Sequence, residues 1–337
     1  MTALAHIEPA RGTRLTRFLA DAGWAEANRT PLSGDASFRR YQRLVQGGRR
    51  AILMDAPPTH ENIGAFVRIA TLLKDLGFSA PGILAQDTDH GFLLLEDLGD
   101  ETFTRALSAG RDEPALYRLA VDTLIDLHGR ITPNDLAALP EFDEARALRE
   151  VSLLLDWYWP AIHGAPAPAA VREEFDAAWQ AVLPLLSGAP ESIALFDFHV
   201  DNLMLLARPG TTACGLLDFQ DAVRAPCVFD LVSLLEDVRR VVPDALQSEM
   251  VERYLSARPA LDKADFTTAY AVIGAQRNTR IAGTFARLLI RDGKAGYQRF
   301  MPRVWTLVGQ DLASPALTPV ADWYARHLPP STRRSLL

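Results

Sequence analysis

The chain has 337 residues and a formal net charge of −7, long enough for one large domain or two lobes with a substantial core. Its 48% hydrophobic and 23% charged residues are those of an ordinary soluble globular protein, and the acidic balance lacks the basic field a nucleic-acid partner demands. No run reaches the roughly 18–20 apolar residues of a membrane span, and residues 1–9 lack the apolar stretch of a secretion signal, so a cytoplasmic protein is expected, with neither nucleic acid nor membrane as partner.

In chain order, residues 12–25 carry an amphipathic helical pattern with Leu15, Phe18, Leu19 and Ala22 on one face. Gly34-Asp35-Ala36-Ser37 marks a turn, residues 38–45 read as a strand, Gln46-Gly47-Gly48-Arg49 as a tight turn, and residues 51–54 as a short buried strand. Pro57-Pro58 ends that strand. Residues 60–76 return to helical period, and two further short strands are expected at residues 83–86 and 92–95. From Glu101 the chain turns helical, with helices expected over residues 113–129, 143–158, 170–186, 228–240, 244–257, 263–291 and 302–312. Two short apolar runs, 203–206 and 214–217, interrupt them as a small hairpin. The expected organisation is α+β and bilobal: a small strand-rich lobe over residues 1–98, a connector at Glu96-Asp97-Leu98, and a large helical lobe over residues 99–337. The two cysteines, Cys214 and Cys227, sit in apolar surroundings without CxxC spacing and read as buried free thiols.

The segment Leu195-Phe196-Asp197-Phe198-His199-Val200-Asp201-Asn202, followed by Leu216-Leu217-Asp218-Phe219-Gln220-Asp221, carries the chemistry. An Asp and an Asn stand five apart ahead of a short apolar strand, and a second strand ends in another Asp. A hairpin of this kind can bring Asp197, Asn202 and Asp218 together. Phosphoryl transfer needs such a set: a carboxylate to orient the attacking hydroxyl and take its proton, and hard oxygen donors for Mg²⁺, whose remaining positions go to phosphates and water. A lone Asp before an apolar run is usually a turn former or cap. Three suitable side chains in this order are harder to assign to turns.

The pattern Asp-x-His-x-x-Asn, an apolar strand, then Asp-Phe-x-x-Asp resembles the aminoglycoside phosphotransferase family, distant relatives of the protein kinases. The resemblance implies a kinase-like fold, with Asp197 as catalytic base and Asn202 and Asp218 as Mg²⁺ ligands. It also implies that Asp221 supports the metal loop and that Asp230, in the helix that follows, braces the catalytic loop. His199 is expected to pack and hydrogen-bond that loop. Leu32-Ser33-Gly34-Asp35-Ala36-Ser37-Phe38-Arg39-Arg40-Tyr41 resembles the family's nucleotide-covering loop, which implies ATP contacts at Ser33, Gly34, Asp35, Ala36, Ser37 and Arg39. Glu96, Asp97 and Leu98 match its connector, which pairs adenine through the backbone. The family's third-strand lysine is replaced by Met54. With lysine only at positions 74, 263 and 294, Arg39 or Arg40 is the alternative cation, and Glu61 then reads as a solvated helix residue. Leu195-Phe196 stands where the family often has His-Gly.

Further matches span residues 36 to about 303, among them Met54-Asp55-Ala56-Pro57-Pro58, Gln276-Arg277-Asn278 and Arg291-Asp292-Gly293-Lys294. They resemble one branch of the family, the bacterial anomeric kinases of N-acetylmuramate and N-acetylglucosamine used in cell-wall recycling. A small-molecule sugar substrate is implied. Arg277 and Arg280 are candidates to fork onto a sugar carboxylate, and Glu236 and Arg239 to reach hydroxyls, beside Asp197. Intrachain ion pairs explain these four residues as well, and core packing explains Trp157, Tyr158 and Trp159 better than stacking on a sugar. The alternatives are a same-fold kinase for an aminoglycoside, choline, homoserine or thioribose, and a catalytically silent nucleotide-binding or interaction protein.

Overall fold

The computed structural model describes residues 9–32 and 38–337. The candidate nucleotide-loop residues Ser33, Gly34, Asp35, Ala36 and Ser37 lie outside them. The chain divides into two compact units, one made of residues 1–111 with 200–221, the other of residues 112–199 with 222–337.

The first unit is built on five antiparallel strands: β1 (Asn28–Pro31), β2 (Arg40–Gln46), β3 (Arg49–Asp55), β4 (Ile83–Asp87) and β5 (Phe92–Leu95), in the order β1-β2-β3-β5-β4. β3 and β5 are central, and from Ala51 onward their residues are almost all buried. The helix Pro9–Asp21 lays Leu15, Phe18 and Leu19, spaced i, i+3, i+4, against Leu44, Ala51, Leu53, Phe92 and Leu94 of the sheet. Arg11 fixes that helix in place. Its Nε donates to Asp55 at 2.9 Å and its Nη1 to the His90 carbonyl at 2.8 Å, which compensates an Asp55 carboxylate that is 1% exposed. Sequence reading did not find β1. All four of its residues are exposed, so it carries no apolar period and exists through pairing with β2.

The hairpin of β7 (Leu203–Leu205) and β8 (Cys214–Leu216) belongs to this unit, although the sequence put residues 99–337 in the other lobe. Its backbone pairing explains why. Met204 bridges Thr102, Gly215 bridges Ser79, and the Leu205 N–H donates to the Glu101 carbonyl at 2.8 Å. Arg208 adds bonds to Ser79 Oγ at 2.8 Å and to Glu96 at 2.6 Å.

The second unit is helical apart from the two-stranded pair β6 (Glu191–Ala194) with β9 (Val223–Pro226). Its axis is the 28-residue helix Lys263–Ile290, begun by an Asp262 side chain that accepts the Ala264 and Asp265 N–H groups at 2.8 and 3.0 Å. The helix expected over 143–158 is divided into Glu144–Val151 and a π turn at Leu154–Tyr158. A Cβ on Gly283 would stand 2.3 Å from the Leu153 carbonyl carbon, so the long helix admits another backbone at the point where the regular helix ends. Tyr158 and Trp159 are buried, and Trp159 packs on Trp323. Both cysteines are buried thiols outside any disulfide. Among the described residues no helix is long and apolar enough to cross a membrane.

Candidate active site

The residues singled out in the sequence fall in both units, Asn202 and Asp218 in the first and Asp197 in the second.

In the first unit, Leu203 pairs with Leu216, and one residue beyond the ladder the Leu217 N–H donates to the Asn202 carbonyl at 3.0 Å. The register therefore carries Asn202 to within one residue of Asp218 across the hairpin end. Asp218 has φ +58, a left-handed conformation that non-glycine residues seldom adopt, and it turns the chain out of β8. Gln220 was quoted in the motif but given no role. Its Nε2 donates to Asp218 Oδ1 at 3.0 Å and to Asp221 Oδ2 at 3.1 Å, so one amide clips two carboxylates that would otherwise repel. An amide oxygen beside a carboxylate is a donor set that suits Mg²⁺. Among the described residues no three His, Cys, Asp or Glu side chains gather as a metal-binding group.

Arg39 reaches the same carboxylate. Its guanidinium is 11% exposed and lies 3.5 Å from Asp218 Oδ1 and 3.5 Å from Glu61 Oε2. Burial pulls its pKa down, but the fields of Tyr41, Asp218 and Glu61 outweigh that and raise it, so the cation stays charged. Glu61 is thus not the solvated helix residue expected. It precedes the helix Ile63–Asp75, is 18% exposed, pairs with Arg39, and accepts the Phe38 N–H at 3.1 Å. At the connector, Asp97 is 4% exposed between Arg43 and Arg50, at 2.8 and 3.0 Å, and Glu96 is held by Arg208 and the Gly82 N–H. Their side chains fix the connector, and Leu98 follows with no charge to spend.

In the second unit, Asp230 lies in the helix Phe229–Leu235 and is 1% exposed. Its Oδ2 accepts the Leu195 N–H at 2.5 Å and its Oδ1 the Phe196 N–H at 3.0 Å. The N–H groups of the two residues before Asp197 are thereby fixed. Burial pushes the Asp230 carboxyl up to about 7, against the pull of those two donors. Phe196 itself has φ +78, which costs a bulky residue about 1–2 kcal/mol. His199 is buried, its N–H donates to the Asp197 carbonyl at 3.1 Å, and burial holds its imidazole neutral with a pKa well below the usual value.

The four expected substrate residues are placed unequally. Glu236 and Arg277 are 5% and 1% exposed. Arg277 Nη1 lies 3.5 Å from the Glu236 carbonyl, and burial first, then neighbouring Arg280, lowers its pKa to about 10 while Asp197 and Asp237 oppose the fall. Arg239 is a quarter exposed and turns toward Asp237. Arg280 lies 3.8 Å from Glu150 with its guanidinium over the Phe196 ring.

Asn278 and Asp311 were not foreseen as a pair with Glu236. Asn278 Nδ2 donates to Glu236 Oε2 at 2.8 Å and to Asp311 Oδ2 at 2.9 Å. Gly274 leaves room for the two carboxyls, because a Cβ there would lie 2.6 Å from Asp311 Oδ1 and 3.1 Å from Glu236 Oε2. Burial raises both, Glu236 to about 7 and Asp311 well above its ordinary value, and the Glu236 charge adds to the rise of Asp311, so the pair holds a proton. Folded pKa values above the unfolded ones make this contribution fully present below about pH 4.5 and lost as pH rises through about 7. Asp311→Asn keeps the hydrogen bonds without the second charge. The thermal midpoint of the variant is expected to fall less than the parent's between pH 5 and pH 8 by scanning calorimetry, and parallel pH curves would show that the two carboxyls do not share a proton.

Comparison with known proteins places these features. Residues 28–266 match the model of the phosphotransferase enzyme family. The chain belongs to that family. It is 36% identical to an N-acetylmuramate/N-acetylglucosamine kinase of Caulobacter vibrioides, over 94% of this chain and 96% of the relative. It is 37% identical to a protein of the same description from Pseudomonas aeruginosa, over 85% of each. A choline/ethanolamine kinase family protein from Mesorhizobium loti has the same fold, with a TM-score of 0.61 at 14% identity over 93% of this chain and 98% of that one.

Proposed function

We propose that the protein is a cytoplasmic, ATP-dependent kinase that phosphorylates the anomeric hydroxyl of N-acetylmuramate and N-acetylglucosamine, in the recycling of cell-wall sugars. The observation that carries this is the 36% identity to a kinase of that description along nearly the whole of both chains. Membership of the phosphotransferase family supplies the reaction type, and the Asn202–Asp218 hairpin end supplies a donor set that suits a nucleotide-bound divalent ion.

In this reading Asp197 orients the sugar hydroxyl and accepts its proton as the oxygen attacks the γ-phosphorus, while the bond to the β-phosphate oxygen breaks and the nucleotide leaves as the diphosphate. Asn202 and Asp218 would hold Mg²⁺, which would neutralise charge on the transferring phosphates. Gln220 keeps Asp218 and Asp221 aligned, and Asp230 fixes the turn that presents Asp197. Ser33, Gly34, Asp35, Ala36 and Ser37 give their backbone to the nucleotide phosphates, and the connector at Glu96, Asp97 and Leu98 gives its backbone to adenine. Arg39 supplies the phosphate-facing cation in place of the lysine absent at Met54, kept in position by Glu61. Arg239, the most exposed of the candidate substrate arginines after its contact with Asp237, meets the acceptor sugar.

Phosphorus NMR after incubation with Mg²⁺, ATP and each sugar tests the assignment. An anomeric phosphate signal is expected with both. Turnover of choline or an aminoglycoside with neither sugar consumed would sink it. Arg39→Ala is expected to raise the ATP KM about tenfold, by loss of one charge-assisted contact, while Arg40→Ala leaves it within twofold. Equal KM values for parent and Arg39→Ala would remove Arg39 from the nucleotide site.

A further inference from the structure

Phe196 is an anomaly that the reaction scheme leaves unexplained. A bulky residue in the left-handed region is unusual, and this one is buried at 6% exposure immediately before Asp197. Backbone bonding does not account for the side chain. Asp230 takes the Phe196 N–H, and Ser233 Oγ reaches the Phe196 carbonyl at 3.4 Å. Those contacts would be equally available to a glycine, which adopts the conformation without strain.

The ring itself is closely held. It stacks on Phe229 with centroids 5.1 Å apart and planes at 19°. Two guanidinium carbons lie over it, Arg280 at 4.4 Å and Arg146 at 4.9 Å from its centroid. Both distances are within the range in which a cation is drawn to an aromatic face. The two arginines would repel each other but for Glu150, which lies 3.0 Å from Arg146 Nε and 3.8 Å from Arg280 Nε. Gln276 Nε2 in turn donates to Glu150 Oε2 at 3.2 Å. The ring thus joins a connected group of two cations, a carboxylate and an amide carried by the helices Glu144–Val151 and Lys263–Ile290.

We propose that Phe196 is a positioning residue for Asp197, that the guanidinium groups of Arg146 and Arg280, braced by Glu150, hold its ring against Phe229, and that Arg280 serves the reaction through this contact rather than by binding the sugar. The anchored ring keeps the strained turn in one conformation, so the carboxylate of the next residue points one way. The charge of Arg280 is spent on the ring and Glu150, and its side chain is 16% exposed.

The proposal rests on the role of Asp197 given above, and its test separates the two. Arg280→Met, Arg280→Lys and Arg146→Met are compared with the parent enzyme using N-acetylmuramate, which carries a carboxylate, and N-acetylglucosamine, which does not. Arg280→Met is expected to lower kcat about ten- to a hundredfold for both sugars with each sugar KM within twofold. Arg280→Lys restores most of kcat, because an ammonium also sits on an aromatic face. Arg146→Met, farther from the substrate residues in sequence, gives the same pattern with a smaller drop. Amide hydrogen exchange in the peptide containing Leu195, Phe196 and Asp197 is expected to quicken in Arg280→Met without any substrate present. A KM rise confined to the carboxylate-bearing sugar, with exchange unchanged, would overturn the proposal and make Arg280 a substrate ligand. Unchanged kcat in both methionine variants would overturn it as well. A parent enzyme that turns over neither sugar defeats the functional assignment alone, since the exchange measurement still reads the anchoring of Phe196.

Discussion

Asp197→Asn is expected to lower kcat by about two to four orders of magnitude, the range spanned by a lost general base, with the ATP KM within twofold of the parent and the fold retained. Asn has the same shape but no lone pair basic enough to take the hydroxyl proton. The loop around it is held by contacts that the substitution does not touch: Asp230 on the Leu195 and Phe196 N–H groups, and the His199 N–H on the carbonyl of residue 197. Binding and folding should therefore survive while chemistry fails. Single-turnover phosphorylation with saturating ATP makes the measurement without interference from product release. Retention of more than a tenth of parental kcat would remove Asp197 from the proton-transfer role. Retained kcat with a raised ATP KM would place it in nucleotide binding instead.

The second large effect belongs to a residue that touches no reacting atom. Asp230→Ala leaves the Leu195 and Phe196 N–H groups buried without acceptors, at about 1–3 kcal/mol each. Relief of a buried charge offsets part of this. The orphaned donors win, because there are two of them and because the carboxyl, with a pKa of about 7, is largely protonated at mildly acid pH. A net loss of about 2–4 kcal/mol is expected, with kcat reduced at least tenfold as the turn before Asp197 loosens. The pH dependence has a definite sign. A folded pKa raised from 3.8 to about 7 gives stability that is present below 3.8 and lost as pH rises through about 7. The gap between parent and variant should therefore be wider at pH 5 than at pH 8. Urea unfolding at the two pH values reads it, and an equal gap at pH 5 and pH 8 would show that Asp230 is ionised throughout and acts as a charge.

Much of the architecture was legible because its signals are local. The strands at residues 83–86 and 92–95 and the hairpin runs at 203–206 and 214–217 are short apolar runs bounded by turn residues, and they became β4, β5, β7 and β8. The helices expected over 244–257 and 263–291 are observed at Asp244–Ala257 and Lys263–Ile290, where the apolar spacing persists and, in the second, Asp262 caps the start. Elements with no local signal were missed. β1 has no buried residue, and β6 and β9 are four residues each with a partner about thirty residues away. The helix Thr318–His327 is a different omission, since Val320, Trp323 and Tyr324 carry a visible i, i+3, i+4 pattern. Glu61 carries no local sign of its role because its partner, Arg39, is 22 residues away, with the whole of β2 and β3 between them.

The sequence by itself determined the chemical inventory: which oxygen-bearing side chains exist, their order along the chain, and the short strands that space Asn202 from Asp218. That information is one-dimensional, and local steric preference and hydrophobic period suffice to read it. Only the tertiary structure decided which charges remain available. Arg277, Arg280 and Arg239 are alike in sequence, yet one is buried behind Glu236, one lies on Phe196 and one is a quarter exposed beside Asp237. The reason is physical. The state of a charge depends on burial and on partners from distant segments, and both come into being only when the chain has packed.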